Sequence, residues 1–509
     1  MNFIVSIGGT GARVAEAFVD YSATGAVNLT EKVKIFVADK DLECGNTTRL
    51  QATVKNYTSM KENTGLPCMI PSFDLSGWNL DQFMSALIPV AAANVASYKN
   101  IVQNPADRTI LDMFHSKAEQ DQKLKDGFWG CANLGAAIIR EIFSTDLFTK
   151  NNTLLDEIQA SVDADPNGEV NIVLTGSIFG GTGASIFPAM AAMLREKFPK
   201  AKINGVLMLP YFRYGDGLAS SPAAIGWQNY YNKTVTSLDY YARNHALVKT
   251  NNNAAMDNSG NLNYIFNSLN LIGSSKLENS CPDDTSGGPD QIHSFLLPDL
   301  YAAEAIRDCF GNPDPECAGG NPNIFGYSNG STGETVVGTF PGTADIAKFT
   351  EIAFALRAYL YPQLHRSDIE TQRLLYNPFG KVSPFSKKAN VDVAKLRTLV
   401  DGTFPFCDSF LHFVRDIHKD PEDIGDVKII NKDGLESLCN IVYSTDGNVG
   451  VHAEDIRRNI ENNPNAIRIG ENLVHNTAPY FNAWENINAK NMSVEDGFKK
   501  IVNSFYEQV

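Results

Sequence analysis

The chain has 509 residues, of which 43% are hydrophobic and 20% charged. Those are the proportions of an ordinary globular protein, and the length suggests two to four domains or one large domain with additions. A formal net charge of -15 argues against broad, nonspecific attraction to nucleic acid or anionic membranes, and no direct nucleic-acid partner is expected. It leaves room for a nucleotide site built from backbone N–H groups. The eight cysteines form no CxxC pair and have no histidine cluster beside them, so no metal site is expected. The first residues run too soon into glycine to form an export segment, and no apolar stretch approaches the ~20 residues of a membrane span. The expected setting is a reducing cytoplasm.

The N-terminus reads as strand, glycine turn, helix, strand. Phe3 to Ile7 is a short apolar run, Gly8-Gly9-Thr10-Gly11 the turn, Ala12 to Tyr21 a helix, and Val33 to Val37 a second strand ending at Asp39 and Asp41. This is the start of an α/β sheet, in which ligands sit beyond the carboxyl ends of the strands. Residues 42–125 suggest two or three helices, one of them Leu80 to Ser97. A clearer unit follows: strand Val170 to Leu174, loop Thr175 to Gly183, helix Ala184 to Phe198 and strand Ile203 to Leu209. Further on, Ser220 to Asn244 reads as a helix and Tyr264 to Ile272 as a strand, and residues 249–263 and 274–290 as polar loops. Gln291 to Phe310 then reads as a buried helix. Gly311 to Gly342, rich in Gly, Pro and Asn, suggests a functional loop or an insertion, and Asp345 to Tyr361 an apolar helix. The remainder suggests a mostly helical region, with helices at Val391 to Val400, Phe404 to His418 and Ala453 to Glu461. The division expected is therefore 1–310, 311–361 and 362–509.

The chemistry lies in the glycine loops. Gly180-Gly181-Thr182-Gly183 follows a strand and opens a helix. Glycines let the backbone approach a phosphate, and the free N–H groups of a helix start point at it. No GKS or GKT follows, so this is not a Walker-type loop. Taken alone, such a turn could equally be a tight strand–helix connection without a ligand.

The stretch from Asn171 to Pro188, with Gly180 to Ala184 at its centre, resembles the signature loop of the tubulin/FtsZ superfamily; Phe179 stands where a further glycine is usual. Other segments agree in order. Ile4 to Gly11 resembles the family's first phosphate loop, and Val37 to Asp41 holds the place of the loop after its second strand. Gly127 to Gly135, including Gly130, Ala132 and Asn133, resembles another phosphate loop without its proline, and Leu209-Pro210-Tyr211-Phe212 resembles the KPF that ends a later strand. The GGTG form is closest to divergent bacterial tubulin-like proteins.

The resemblance implies a Rossmann-type GTP-binding domain with a central helix, followed here by the mostly helical C-terminal region. It implies GTP or GDP as ligand, with magnesium, and a partner in the chain itself, as a longitudinal oligomer or filament. An unidentified protein partner would act through the C-terminal region. Gly8, Gly9, Thr10 and Gly11 with Gly180, Gly181, Thr182 and Gly183 would hold phosphates, beside Asp39, Gly130, Ala132 and Asn133. The base would meet the start of the central helix, at Gln291 and Phe295. In the family a neighbouring subunit brings carboxylates that polarise water. At the corresponding place Asp345 is kept, but Thr343 and Lys348 replace the usual Asn and second acid. A protonated ammonium is no general base, which puts efficient hydrolysis in doubt.

Two other readings stay open. A dinucleotide-binding Rossmann enzyme would use Gly8 to Gly11 and Asp39, but its GxGxxG fingerprint fails at Val14 and leaves Gly180 to Gly183 unexplained. A tubulin-like scaffold that has lost assembly or hydrolysis would explain the missing acid.

Overall fold

The computed structural model describes residues 1–41, 43–79, 105–121, 132–143, 152–164, 169–211, 227–243, 265–274, 288–311, 343–361, 392–418 and 492–509. It also describes the short pieces 97, 128, 213–214, 283–284, 323–327, 466–469, 472–476, 479–480 and 483. The chain divides into two compact units. The first holds Met1–Phe18, Leu29–Gln51 and Ser72–Val337; the second holds Val19–Asn28, Ala52–Pro71 and Gly338–Val509.

The first unit is α/β. Seven strands, β1 (Asn2–Ile7), β2 (Val33–Asp39), β3 (Phe73–Asn79), β4 (Asn171–Ser177), β5 (Lys202–Met208), β6 (Ser268–Ser274) and β7 (Asn323–Tyr327), form one sheet in the order β3-β2-β1-β4-β5-β6-β7. Every neighbouring pair is parallel. β1 and β4 lie side by side in the middle, Asn2 opposite Asn171, and every residue of both is buried. That explains their nearly continuous apolar sequences, because a parallel sheet covered on both faces has no wet side. The order runs one way from β1 to β3 and the other way from β4 to β7. The reversal between β1 and β4 is where open α/β sheets of this Rossmann-like kind place their ligands.

Among the described residues, the helices of ten or more residues in this unit are α1 (Gly8–Ala23) and α2 (Gly45–Thr64), which both run on into the second unit, then α3 (Pro105–Phe114), α4 (Ala132–Phe143), α5 (Thr153–Ala164), α6 (Gly181–Lys197), α7 (Trp227–Arg243) and α8 (Leu297–Gly311). Three sequence expectations need correction. The glycines do not precede their helices as separate turns: Gly8 and Gly181 are the first helical residues of α1 and α6. The helix expected from Gln291 begins at Leu297, because Pro298 fits a first helical turn, where its missing N–H is harmless. The 311–342 stretch supplies an edge strand, β7.

In the second unit α9 (Thr343–Phe354) continues into a π-helical turn (Ala355–Leu360), followed by α10 (Val393–His418) and α11 (Val494–Tyr506). A short antiparallel pair, 466–469 with 472–476, adds β structure to a region expected to be mostly helical. α10 is one helix, not two, and passes through Pro405. Its Phe406 and Phe410 pack edge-on against Tyr57 and Phe349, with ring centroids 5.4 Å and 4.6 Å apart. Of the expected helices, 453–461 and all of 80–97 but Ser97 fall outside the described residues. Among the described residues no helix is long and apolar enough to cross a membrane.

Candidate functional site

β1 ends at Ile7, directly before Gly8, and β4 at Ser177, three residues before Gly180, and the glycine runs that follow the two strands meet. Gly8 has φ +69°, a left-handed conformation that an L side chain adopts at a cost. A Cβ on it would lie 3.3 Å from Thr182 Cβ and 3.5 Å from the Gly183 nitrogen. The other glycines are fixed by close packing. A Cβ on Gly11 would come within 2.7 Å of the Thr175 carbonyl oxygen of β4, and one on Gly183 within 2.7 Å of the Ser177 oxygen. Gly180, the N-cap of α6, supplies no side chain to cap the first turn. Phe179, in the place of a further glycine, is buried.

A third helix start joins them. Ala132 and Asn133 open α4, and Ser185 of α6 donates from Oγ toward the carbonyls of Ala132 (2.8 Å) and Gly181 (2.6 Å). Gly135 presses so closely on Ser185 that a Cβ there would overlap its hydroxyl. Helix N-termini carry unpaired N–H groups and roughly half a positive charge each, so such an assembly favours an anion. Gly130 lies outside the described residues.

The loop after β2 forms another wall. Asp39 accepts the N–H of Lys40 (2.7 Å) and of Asp41 (3.2 Å) on Oδ1. Burial pushes its carboxyl up to about 7 despite those bonds. Asp41 accepts the Gly288 N–H at 2.6 Å and the Glu43 N–H at 3.1 Å. This ties the loop to the strap 288–296 that leads into α8. Gln291 lies on that strap; its Oε1 accepts from the Cys44 thiol at 3.3 Å and stands 3.1 Å from the Cβ position of Gly9. Burial, aided by the Asp39 charge, pushes the Cys44 thiol up to about 12, so it remains a donor.

The residues read from the sequence thus separate. Gly8, Gly11, Thr182 and Gly183 meet at the ends of β1 and β4; Gly9 faces Gln291. Phe295 is drawn off elsewhere: it is 4% exposed, and the Arg49 guanidinium sits 4.3 Å over its ring while bonding Glu16 and the His293 carbonyl, each at 2.7 Å. Asp345 lies in the first turn of α9, in the second unit.

Sequence reasoning gave no role to Arg13, one turn beyond Gly9, or to its partners. Arg13 Nε bonds Asp299 Oδ1 at 3.1 Å, and the Tyr211 hydroxyl donates to the same oxygen at 2.7 Å. The signal available was an Arg one turn beyond the first glycine run and an Asp in the first turn of a buried helix.

No family model matches the sequence, and no curated protein matches it either.

Proposed function

We propose that the chain is a tubulin/FtsZ-like guanine-nucleotide-binding protein that assembles with copies of itself in a nucleotide-dependent way, with weak turnover. The observation that carries this reading is the contact between two glycine-rich helix starts, Gly8 against Thr182 and Gly183, at the reversal of strand order. Backbone N–H groups of residues 9–11 and 181–183 would donate to phosphate oxygens, and the hydroxyls of Thr10 and Thr182 stand at the same turns. Three helix dipoles would add to the attraction, each worth about 0.3–1 kcal/mol.

Guanine rather than adenine rests on the motif resemblance. Gln291, beside Gly9, would meet the base or ribose. The local carboxylates suit magnesium poorly. Asp39 is held toward its neutral form, and both Asp41 oxygens already accept backbone N–H groups.

Lys348, in place of the second acid, carries its ammonium 4.6 Å over the Tyr506 ring, which supports weak hydrolysis. The same substitution favours a non-assembling scaffold as the second reading. An NAD-dependent enzyme is disfavoured, because Asp39 turns an oxygen to its own backbone instead of offering both to a ribose.

Calorimetric titration of GTP into wild-type protein and Gly8→Ala tests the binding claim. Saturable binding in the wild type, weakened about tenfold or more by the strained alanine, supports it. Equal affinity in both proteins places the ligand elsewhere.

A further inference from the structure

Arg13, Asp299 and Tyr211 form a buried group inside the first unit, each at most 2% exposed. Asp299 Oδ1 receives Arg13 Nε at 3.1 Å and the Tyr211 hydroxyl at 2.7 Å, and Oδ2 receives the Leu296 N–H at 2.9 Å. Arg13 also bonds the Tyr211 oxygen and lies 5.1 Å from the centre of its ring. The group joins α1, the chain just after β5, and the first turn of α8. A buried ion pair is costly to assemble, and a hydrophobic trio would serve packing as well or better. Its position suggests what it is for. The first turn of α1 is Gly8-Gly9-Thr10-Gly11, three of whose four residues have no side chain to anchor them. Arg13, one turn further on, is the first long side chain of that helix.

We propose that Asp299 and Tyr211 are positioning residues that act through Arg13 to hold the first glycine turn in its phosphate-receiving orientation. The proposal rests on the nucleotide reading above. It assigns this group to the phosphate side of the ligand and not to the nucleoside side. The strap that carries Gln291 meets this group at its far end, through the Leu296 N–H, and nearer Gln291 is held by other bonds: of Gly288 to Asp41, of His293 N–H to Asn46 Oδ1 (3.1 Å) and of Arg49 to the His293 carbonyl. Loosening Arg13 should therefore lower affinity for the phosphates and leave the nucleoside contacts alone.

The test measures dissociation constants of GTP and guanosine for the wild type, Tyr211→Phe and Asp299→Asn, with thermal unfolding of each protein. Tyr211→Phe removes one hydroxyl and keeps every charge, so it remains informative should Asp299→Asn fail to fold. The expected result is a guanosine constant within about twofold of wild type and a GTP constant weakened about tenfold, as for loss of one hydrogen bond to a charged group. The preference for GTP over guanosine then collapses. If both ligands weaken in parallel, or neither changes, the group is merely structural and the positioning role is overturned. If the wild type binds neither ligand, the nucleotide reading falls and takes this proposal with it.

Discussion

At the scale of single residues, the placement of GGTG at two strand ends was legible from the sequence, because glycine between an apolar run and a helix has few other uses. The Arg13–Asp299 pair was not, since its members lie 286 positions apart and no local pattern couples them. Asp39 yields a pH prediction. Its carboxyl rises from 3.8 in the free side chain to about 7 in the folded protein, chiefly through burial. The folded state thus holds a proton there that the unfolded state releases, and stability from this group, complete below about 4, is lost as pH rises through about 7. Asparagine mimics the neutral form. Asp39→Asn should match the wild type in urea unfolding near pH 4 and exceed it increasingly toward pH 8, by on the order of 4 kcal/mol at most. A constant difference across that range would mean that Asp39 is ionised throughout.

Among the secondary elements, sequence reading found β1, β2, β4 and β5, and β6 with its start placed too early, all interior strands whose apolar runs follow from burial on both faces. It missed β3 and β7, and these are the two edges of the sheet. An edge strand is paired on one side only, so sequences such as Phe73 to Asn79 tolerate Asp, Ser and Gly without a readable pattern. α10 misled for another reason. Gly402 and Pro405 are breakers by propensity, yet a Cβ on Gly402 would meet the Asn63 side chain of α2, and Phe404, Phe406 and Phe410 on either side are all buried. Packing overrides propensity there. The close approach of α4 and α6 at Gly135 provides the prediction at this scale. Gly135→Ala should force the helices apart, cost about 1–3 kcal/mol in chemical unfolding, and weaken GTP binding by displacing Ala132 from the first turn of α6. Unchanged stability would mean that the two helices can separate freely, which Ser185 bonding both starts argues against.

For the whole molecule, the sequence suggested contiguous segments, whereas the compact units are interleaved: residues 19–28 and 52–71 belong with the C-terminal half. α1 and α2 each pass from one unit to the other, a division that no composition shift announces. The segment 311–361 is likewise shared, giving β7 to the sheet and α9 to the second unit. The central claim, a guanine nucleotide held at the ends of β1 and β4, is tested most directly by identifying what the purified protein carries. The protein is denatured, the released small molecules are separated by chromatography, and phosphate release from added GTP is followed across protein concentrations. Bound GDP or GTP is expected, with slow phosphate release that rises more than linearly with protein, as for a site that a second copy of the chain would complete. Bound NAD, or no nucleotide together with no GTP binding, would contradict it.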